Sequence, residues 1–200
     1  MPSLIEERSV LKTAPAAEPV TTAEAKAHLR VTSSADDTYI DTLVKVARRR
    51  IEERTGRALI NQTWYLYLDE FPDCDRIRLP KAPLTAITSL KYKDTTGAET
   101  TWSSSNYITD LNPTPGELVL TYANTWPAVS LYPASPITVE YTAGYGASGS
   151  AVPEELRQAI LLAVGHWYEN REEVVTGTIV SPLPMQFEWL ITPFMVEWFR

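Results

Sequence analysis

The most continuous apolar pattern of the chain lies within residues 153–173, PEELRQAILLAVGHWYENREE. Pro153 suits the first turn of a helix because its missing N–H costs nothing there, and Glu154 and Glu155 oppose the positive helix terminus. The residues that follow are apolar on nearly every side, and such a helix is normally buried on most sides. The stretch is too short and too charged at its ends to span a bilayer. It therefore predicts a central helix, buried either in the core of one chain or between subunits.

Two further helical patterns precede the middle of the chain. Residues 21–24, Thr-Thr-Ala-Glu, form a capping box and predict a short helix over about residues 22–30. Residues 33–37 begin a second helix, and Gly56 supplies its stop. The apolar residues of this second helix recur on one face at helical spacing: Ile40, Leu43, Val44, Ala47 and Ile51.

Beyond the second helix, the period of the apolar residues changes to that of a strand. Trp64, Leu66 and Leu68 alternate with two tyrosines. Short strand-like runs follow, separated by proline and glycine turn signals, at residues 76–79, 84–93, 99–102, 107–109, 117–122 and 137–142. The pattern predicts an antiparallel β module over about residues 59–145, inserted between the second and the central helix. The expected fold is therefore α+β, with a helical core.

The two ends of the chain differ from its middle. Residues 1–20 predict an extended arm, mobile or ordered only against a neighbour, because residues 14–20 consist mainly of prolines and small residues; plain disorder is the alternative. Residues 174–184 predict a loop. Residues 185–200 form an apolar C-terminal tail that either folds back on its own core or anchors the chain in another protein, and aromatic anchors favour the second. A single domain over residues 21–173 is expected between arm and tail.

Composition and charge narrow the functional classes. The chain has 200 residues and a formal net charge of −7. This charge argues against a free nucleic-acid binder, because such proteins are usually basic. Cys74 is the only cysteine, so no internal disulfide is possible. No stretch of the sequence reaches transmembrane length.

The sequence contains no recognisable catalytic or metal-binding set. His28 and His166 stand alone, without a second ligand at metal-binding spacing, and His166 is better explained as a hydrogen-bonded core residue. Acidic residues flank Cys74 and disfavour the reactive thiolate. Neither a phosphate-binding glycine loop nor a nucleophile motif is present. The sequence predicts that the protein is not an enzyme and needs no cofactor.

One face of the second helix is basic. We expect Arg48, Arg49, Arg50 and Arg54 on its solvent side, together with Lys45. These cations are a candidate charged face between subunits or along a channel, where they would meet an acidic neighbour or phosphate. The alternative is a solvated face, on which the helix dipole favours cations near the C-terminal end.

Several segments, taken in order, resemble a known family. They are residues 20–31 (VTTAEAKAHLRV), 55–64 (TGRALINQTW), 78–80 (RLP) with 83–84 (PL), 141–146 (YTAGYG) and 159–171 (AILLAVGHWYENR). Together they resemble the head–tail connector (adaptor) proteins of tailed bacteriophages, a head-completion family that includes prophage and gene transfer agent members. The likeness covers about residues 20–184.

This resemblance implies a structural protein of the virion neck, made in the cytoplasm of the host bacterium. It implies a ring of copies of the chain, dodecameric, seated under the portal protein and offering a platform to a stopper or tail protein. Such a ring extends the DNA channel and passes double-stranded DNA without sequence-specific binding. A different head-completion or tail-terminator ring protein, and a β-rich module that binds a host surface, remain as alternatives.

Two segments are the candidate contact sites of such a ring subunit. The predicted portal interface lies in the C-terminal tail and comprises Met185, Phe187, Trp189, Leu190, Phe194, Met195, Trp198 and Phe199. The predicted contact with the stopper, the tail or a neighbouring copy comprises Val174, Val175, Thr176, Gly177, Thr178, Ile179 and Val180.

Overall fold

The structure is a computed structural model that describes residues 8–171 and 185–196. These residues form four α-helices: α1 (Thr22–Leu29), α2 (Asp37–Thr55), α3 (Glu154–Glu169) and α4 (Met185–Ile191). They also form eight strands: β1 (Arg8–Thr13), β2 (Gln62–Leu68), β3 (Arg76–Arg78), β4 (Leu84–Lys93), β5 (Glu99–Trp102), β6 (Tyr107–Asp110), β7 (Glu117–Leu120) and β8 (Ile137–Ala143). All strand pairs are antiparallel. The predicted α+β fold with antiparallel sheets is confirmed.

The chain divides into two compact units. The β unit consists of Met1–Ala14 and Asn61–Gly144, and the helical unit consists of Pro15–Ile60 and Tyr145–Arg200. The division predicted from the sequence follows chain order instead, as an arm, one connector domain and a docking segment. That division stays a prediction.

Five strands of the β unit form one sheet in the order β1-β2-β8-β4-β5. Leu66 of β2 and Leu90 of β4 both lie opposite Val139 of β8, and all three side chains are fully buried. A second sheet has the order β3-β7-β6 and pairs Ile77 with Leu118 at its buried centre. Alternation of apolar and polar residues therefore predicts which strand faces are buried in this unit.

Strand β1 lies in the segment that the sequence predicts to be an arm. It pairs with β2, with Val10 opposite Tyr65, and Lys12 Nζ lies 2.6 Å from Glu140 Oε1 on β8. Val10 and Leu11 are 49% and 42% exposed, because β1 is an edge strand with little to cover it. Residues 8–13 are therefore ordered against their own chain. The sequence does not predict this strand, because a half-exposed edge strand has no clear alternation of apolar and polar residues.

The core of the helical unit is formed by the inner faces of its helices. Ile40 and Ile51 of α2, Ile160 of α3, and Phe187 and Ile191 of α4 are fully buried in one apolar cluster. Helix α3 buries a single stripe rather than most of its surface: Leu156, Ala159, Ile160, Ala163 and Val164.

His166 of α3 is half-buried and is not a core residue, contrary to the sequence-based expectation. Leu161 and Leu162 on the same helix are also half-buried. Helix α3 therefore has apolar side chains beyond its buried stripe, and the described residues of the helical unit cover these only in part.

Local signals at the helix ends act as the sequence predicts. The backbone N–H of Glu24 donates to Thr21 Oγ1 at 3.2 Å, and the backbone N–H of Thr21 donates to Glu24 Oε2 at 2.8 Å. This reciprocal pair satisfies two amide groups at the start of α1. Helix α2 ends at Gly56, whose φ of 71° lies in the left-handed region that glycine adopts without strain.

Replacing Glu24 with glutamine is expected to lower the thermal unfolding midpoint at pH 7, and the difference from the parent chain should close in acid. The Thr21 backbone N–H and, further, Arg157 hold the pKa of Glu24 below its ordinary value, although burial opposes the shift. A carboxylate with a depressed pKa stabilises the fold above its unfolded-state pKa, and that stabilisation disappears as the pH falls through the folded-state pKa. Unfolding followed by circular dichroism from neutral pH downwards tests this.

The matched control for this pH series is Glu53→Gln. Glu53 is exposed on α2 and forms no ion pair with any residue in the described ranges. Its substitution should change the unfolding midpoint at pH 7 much less than Glu24→Gln does. A Glu24→Gln difference that stays constant across the acid range would contradict the assigned contribution of the carboxylate.

Candidate interaction surfaces

The first candidate surface is built on the C-terminal helix α4. Phe187 and Ile191 lie four residues apart on one side of α4 and are 1% and 0% exposed. Leu190, Phe194 and Met195 pack against the same core and are half-buried or partly exposed. The buried pair attaches α4 to the helical unit and fixes which of its side chains point outward.

Polar contacts hold the same segment to the end of α2. Arg54 Nη2 donates to both carboxylate oxygens of Glu188, at 2.8 and 3.0 Å. Arg57 Nε donates to the backbone carbonyl of Phe194 at 2.6 Å, and the Val196 backbone N–H donates to the carbonyl of Thr55 at 2.9 Å. We call these three contacts the α2–tail clip. The clip is made of residues more than 130 positions apart in the chain, so no local pattern announces it.

The outer side of α4 carries two large exposed side chains. Met185 and Trp189 are 89% and 86% exposed, and they are also four residues apart, so they lie on one face of the helix. Beside them is a cleft of about 430 Å³ between α3 and α4. Its lining is mainly apolar and comprises Gln158, Leu162, Met185, Gln186, Trp189 and Leu190. Concave apolar sites with exposed aromatic residues are typical of surfaces that bind another protein.

The structure thus separates the residues of the predicted portal interface. Met185 and Trp189 are exposed, whereas Phe187 is buried in its own chain. The side of α4 that carries Phe187 packs on the core of the helical unit, and its assignment to the portal interface stays a prediction. Trp198 and Phe199 lie outside the described residues.

The end of α3 is fixed to the start of α2 by a polar and aromatic cluster. The Tyr168 hydroxyl donates to Asp36 Oδ2 at 2.6 Å, and Arg171 Nη2 donates to the same oxygen at 3.1 Å. These two donors lower the pKa of Asp36, the tyrosine more than the arginine. The Arg171 guanidinium also lies 4.7 Å from the ring centre of Tyr39.

The predicted contact segment 174–180 begins three residues after this cluster. Its members all lie outside the described residues: Val174, Val175, Thr176, Gly177, Thr178, Ile179 and Val180. The role of this segment stays a prediction. The contacts with Asp36 fix the position of Tyr168 and Arg171 at the end of α3.

Among the arginines of α2, Arg48 is the one that the sequence places wrongly. It is 6% exposed. Its Nε donates to Glu18 Oε2 at 2.7 Å and its Nη1 donates to Glu52 Oε2 at 2.7 Å. Glu52 in turn accepts the buried backbone N–H of Leu59 at 2.9 Å. Arg48 therefore belongs to an internal ion-pair network and is not part of a charged face.

The second candidate surface is the outer face of α2. Arg49 and Arg50 are exposed, as is Lys45, and none of the three forms an ion pair with a residue in the ranges 8–171 and 185–196. Val46, between them on the helix surface, is 46% exposed. Arg54 is also exposed, but its charge is paired with Glu188 in the α2–tail clip.

The aromatic residues of the β unit mostly pack on each other. The rings of Phe71 and Trp126 are stacked with centres 5.2 Å apart, and Trp126 lies 5.5 Å from Trp102. Trp126 Nε1 donates to the carbonyl of Cys74 at 2.7 Å. The rings of Phe71, Trp102 and Trp126 are half-buried, so this cluster packs at the surface of the β unit.

In the described part of the chain, histidine, cysteine and acidic side chains nowhere converge in a group that could hold a metal ion. No described helix is long and apolar enough to cross a membrane. The two outward faces, on α4 and on α2, are therefore the candidate functional sites of the helical unit.

A family model described as Head completion protein matches residues 19–179. The chain belongs to the head completion protein family. The match includes helices α1, α2 and α3 and strands β2 to β8, and it leaves out β1, residues 14–18 and the described residues from α4 onwards. The resemblance predicted from the sequence is confirmed. Head completion is a structural role in the assembly of a phage-like particle, so this protein is not an enzyme.

Solved structures of gene transfer agent (GTA) particles contain chains with the fold of this head completion protein. One lies in the neck of an empty GTA particle computed with C6 symmetry, at 26% identity and a TM-score of 0.79 over 96% of this chain and 97% of that chain. Another lies in the virion of a native GTA particle, at 27% identity and a TM-score of 0.77 with the same coverage.

A third lies in the neck of a native GTA particle computed with C12 symmetry, at 25% identity and a TM-score of 0.74, again over 96% and 97% of the two chains. No curated protein matches the chain. The structural matches span nearly the whole of both chains, whereas the family model ends at residue 179.

Proposed function

We propose that this head completion protein is a head–tail connector (adaptor) subunit in the neck of a phage or phage-like particle. The observation that carries the proposal is the end-to-end similarity to neck chains of GTA particles, at TM-scores of 0.79 and 0.74. Those necks were computed with C6 and C12 symmetry, which favours a closed ring of copies. In a ring each copy presents two different surfaces, and each contact repeats by rotation.

In this proposal the ring lies under the portal protein, extends the DNA channel and receives a stopper or tail protein on its other side. The net charge of −7 per copy supports passage of DNA without tight binding, because an acidic lumen repels phosphate. The segment 174–180 stays the candidate contact for the stopper or a neighbouring copy.

We assign the portal contact to the outer face of α4. Met185 and Trp189 are exposed beside the apolar cleft, while Phe187, Ile191 and the α2–tail clip hold the helix in place. A rigid, preformed aromatic anchor loses little conformational freedom when it binds, which raises its contribution to affinity. Trp198 and Phe199 belong to the same proposed contact as candidate residues.

The test is co-purification of the full chain with the portal protein of the same particle. The intact chain is expected to join the portal, and the double variant Met185→Ser/Trp189→Ser should lose about thirtyfold in affinity, since an aromatic hot spot contributes about 2 kcal/mol. The matched control is Ile108→Ser/Tyr122→Ser, which replaces two exposed apolar side chains of the β unit and should bind as the parent does.

The outcomes separate the parts of the proposal. If the intact chain does not join the portal, the connector assignment is wrong, and binding to a tail protein instead would indicate a tail-terminator ring. If the intact chain and the α4 variant bind equally, the connector assignment stands and the contact lies elsewhere on the chain.

A further inference from the structure

The outer face of α2 combines three exposed cations that form no ion pair in the described parts of the chain with an exposed apolar side chain. Lys45, Val46, Arg49 and Arg50 are all exposed, and their spacing places them on one strip opposite the buried stripe of the helix. We call these four residues the basic strip. Arg48 and Arg54 on the same helix have carboxylate partners at 2.7 and 2.8 Å, whereas the cations of the strip have none within the described parts of the chain.

An acidic counterpart lies at the start of α3. Glu154 and Glu155 are adjacent and exposed, and neither forms an ion pair with a residue in the ranges 8–171 and 185–196. Glu24, in contrast, is already paired with Arg157. Both Glu154 and Glu155 lie off the buried stripe of α3. Among its described residues, the helical unit thus carries exposed groups of opposite charge without ion-pair partners on two different helices, the basic strip on α2 and Glu154 with Glu155 on α3.

We propose that the basic strip of one copy contacts Glu154 and Glu155 of the next copy in the ring. The inference rests on the proposed function, which supplies the ring. Two complementary surfaces on one chain are what a head-to-tail contact requires, because each copy then offers one surface to each neighbour and the contacts close by rotation.

A second copy fits the strip better than DNA does. Val46 is 46% exposed at the centre of the strip, and an apolar side chain gains from burial against protein but gains nothing from a phosphate backbone. The chain itself carries a net charge of −7, so the acidic partner is present in every assembled ring. Complementary charges of this kind fix partner choice and register, and like charges brought together are strongly unfavourable.

The experiment uses two full-length variants with opposite changes. The first, Lys45→Glu/Arg49→Glu/Arg50→Glu, makes the strip acidic, and the second, Glu154→Lys/Glu155→Lys, makes the start of α3 basic. Each variant alone places like charges at every contact between copies. A mixture of the two restores opposite charges at every contact, provided that the variants alternate around the ring. Each is co-expressed with the portal protein, and native mass spectrometry counts the copies bound to each portal ring.

We expect the parent chain to fill the portal ring and each variant alone to fall at least about tenfold in complete rings. The mixture should restore complete rings, with the two tagged variants present in equal numbers. Thermal unfolding of each variant provides the folding control, because lysines at a helix N-terminus oppose its dipole. Recovery in the mixture excludes misfolding as the reason for the loss.

Three results would overturn the inference. One is complete rings from either variant alone, and another is failure of the mixture when both variants are folded. The third is normal assembly of the strip variant with weaker retention of double-stranded DNA, which would assign the strip to the channel. A parent chain that never joins the portal is different from all three, because it contradicts the proposed function itself.

Discussion

Replacing Arg48 with alanine is expected to lower the free energy of unfolding of the helical unit by about 3–5 kcal/mol. The substitution leaves the carboxylates of Glu18 and Glu52 without their shared partner, and the side chain of Glu52 is only 11% exposed. Burial alone would lower the pKa of Arg48, but the two carboxylates outweigh it and hold that pKa above its ordinary value. The folded chain therefore stabilises the charged form of this guanidinium more than the unfolded chain does.

Urea unfolding followed by far-UV circular dichroism measures this loss, and Arg49→Ala is the matched control. Arg49 is the next residue on the same helix, but it is exposed and has no ion pair among the described residues, so its loss should change stability by no more than about 0.5 kcal/mol. Equal effects of the two substitutions would mean that the Arg48 network does not stabilise the fold. The pair separates the internal arginine from the basic strip, so Arg49→Ala also shows that strip variants can remain folded.

The contrast between Arg48 and Arg49 shows where the sequence is informative. The apolar stripe of α2 is readable from Ile40 to Ile51 because helical periodicity is local. Whether a cation beside that stripe is buried depends on its partners, and Glu18 lies 30 residues away in the sequence. Glu52 follows Arg48 at a spacing of four and was the available local signal.

The helix ends and the strand periodicity were predictable for the same reason. The Thr21–Glu24 capping box and the stop at Gly56 involve residues within a few positions of each other, and the buried faces of β2 and β8 follow from a period of two. Strand β1 was not predictable, because it is an edge strand whose partners lie 50 to 59 positions further along the chain.

The C-terminal tail has some features that the local sequence predicts and others that depend on distant residues. Its aromatic content predicts burial, but not whether the burying surface is the chain itself or a partner. In the structure, the spacing of four residues recurs twice on α4: Phe187 and Ile191 point into the core, and Met185 and Trp189 point outward. The α2–tail clip helps to hold α4 in this orientation, and its members Arg54 and Glu188 are 134 residues apart.

Replacing Phe187 with alanine is therefore expected to detach α4 from the helical unit, whereas replacing Trp189 is not. Phe187 is 1% exposed, and truncation of a buried phenylalanine costs about 3–5 kcal/mol through lost burial and the cavity left behind. Trp189 is 86% exposed, so Trp189→Ala should change stability by no more than about 0.5 kcal/mol. Urea unfolding and limited proteolysis around α4 measure the difference.

Both substitutions should lower the affinity for the portal protein, but for different physical reasons. Phe187→Ala would weaken binding because α4 is no longer held, and Phe187→Leu, which keeps most of the buried volume, should restore much of both stability and binding. Trp189→Ala would weaken binding in a chain as stable as the parent, and no conservative core substitution can compensate for it. If Phe187→Ala left α4 as resistant to protease as the parent, the buried side of the helix would not be what positions Met185 and Trp189.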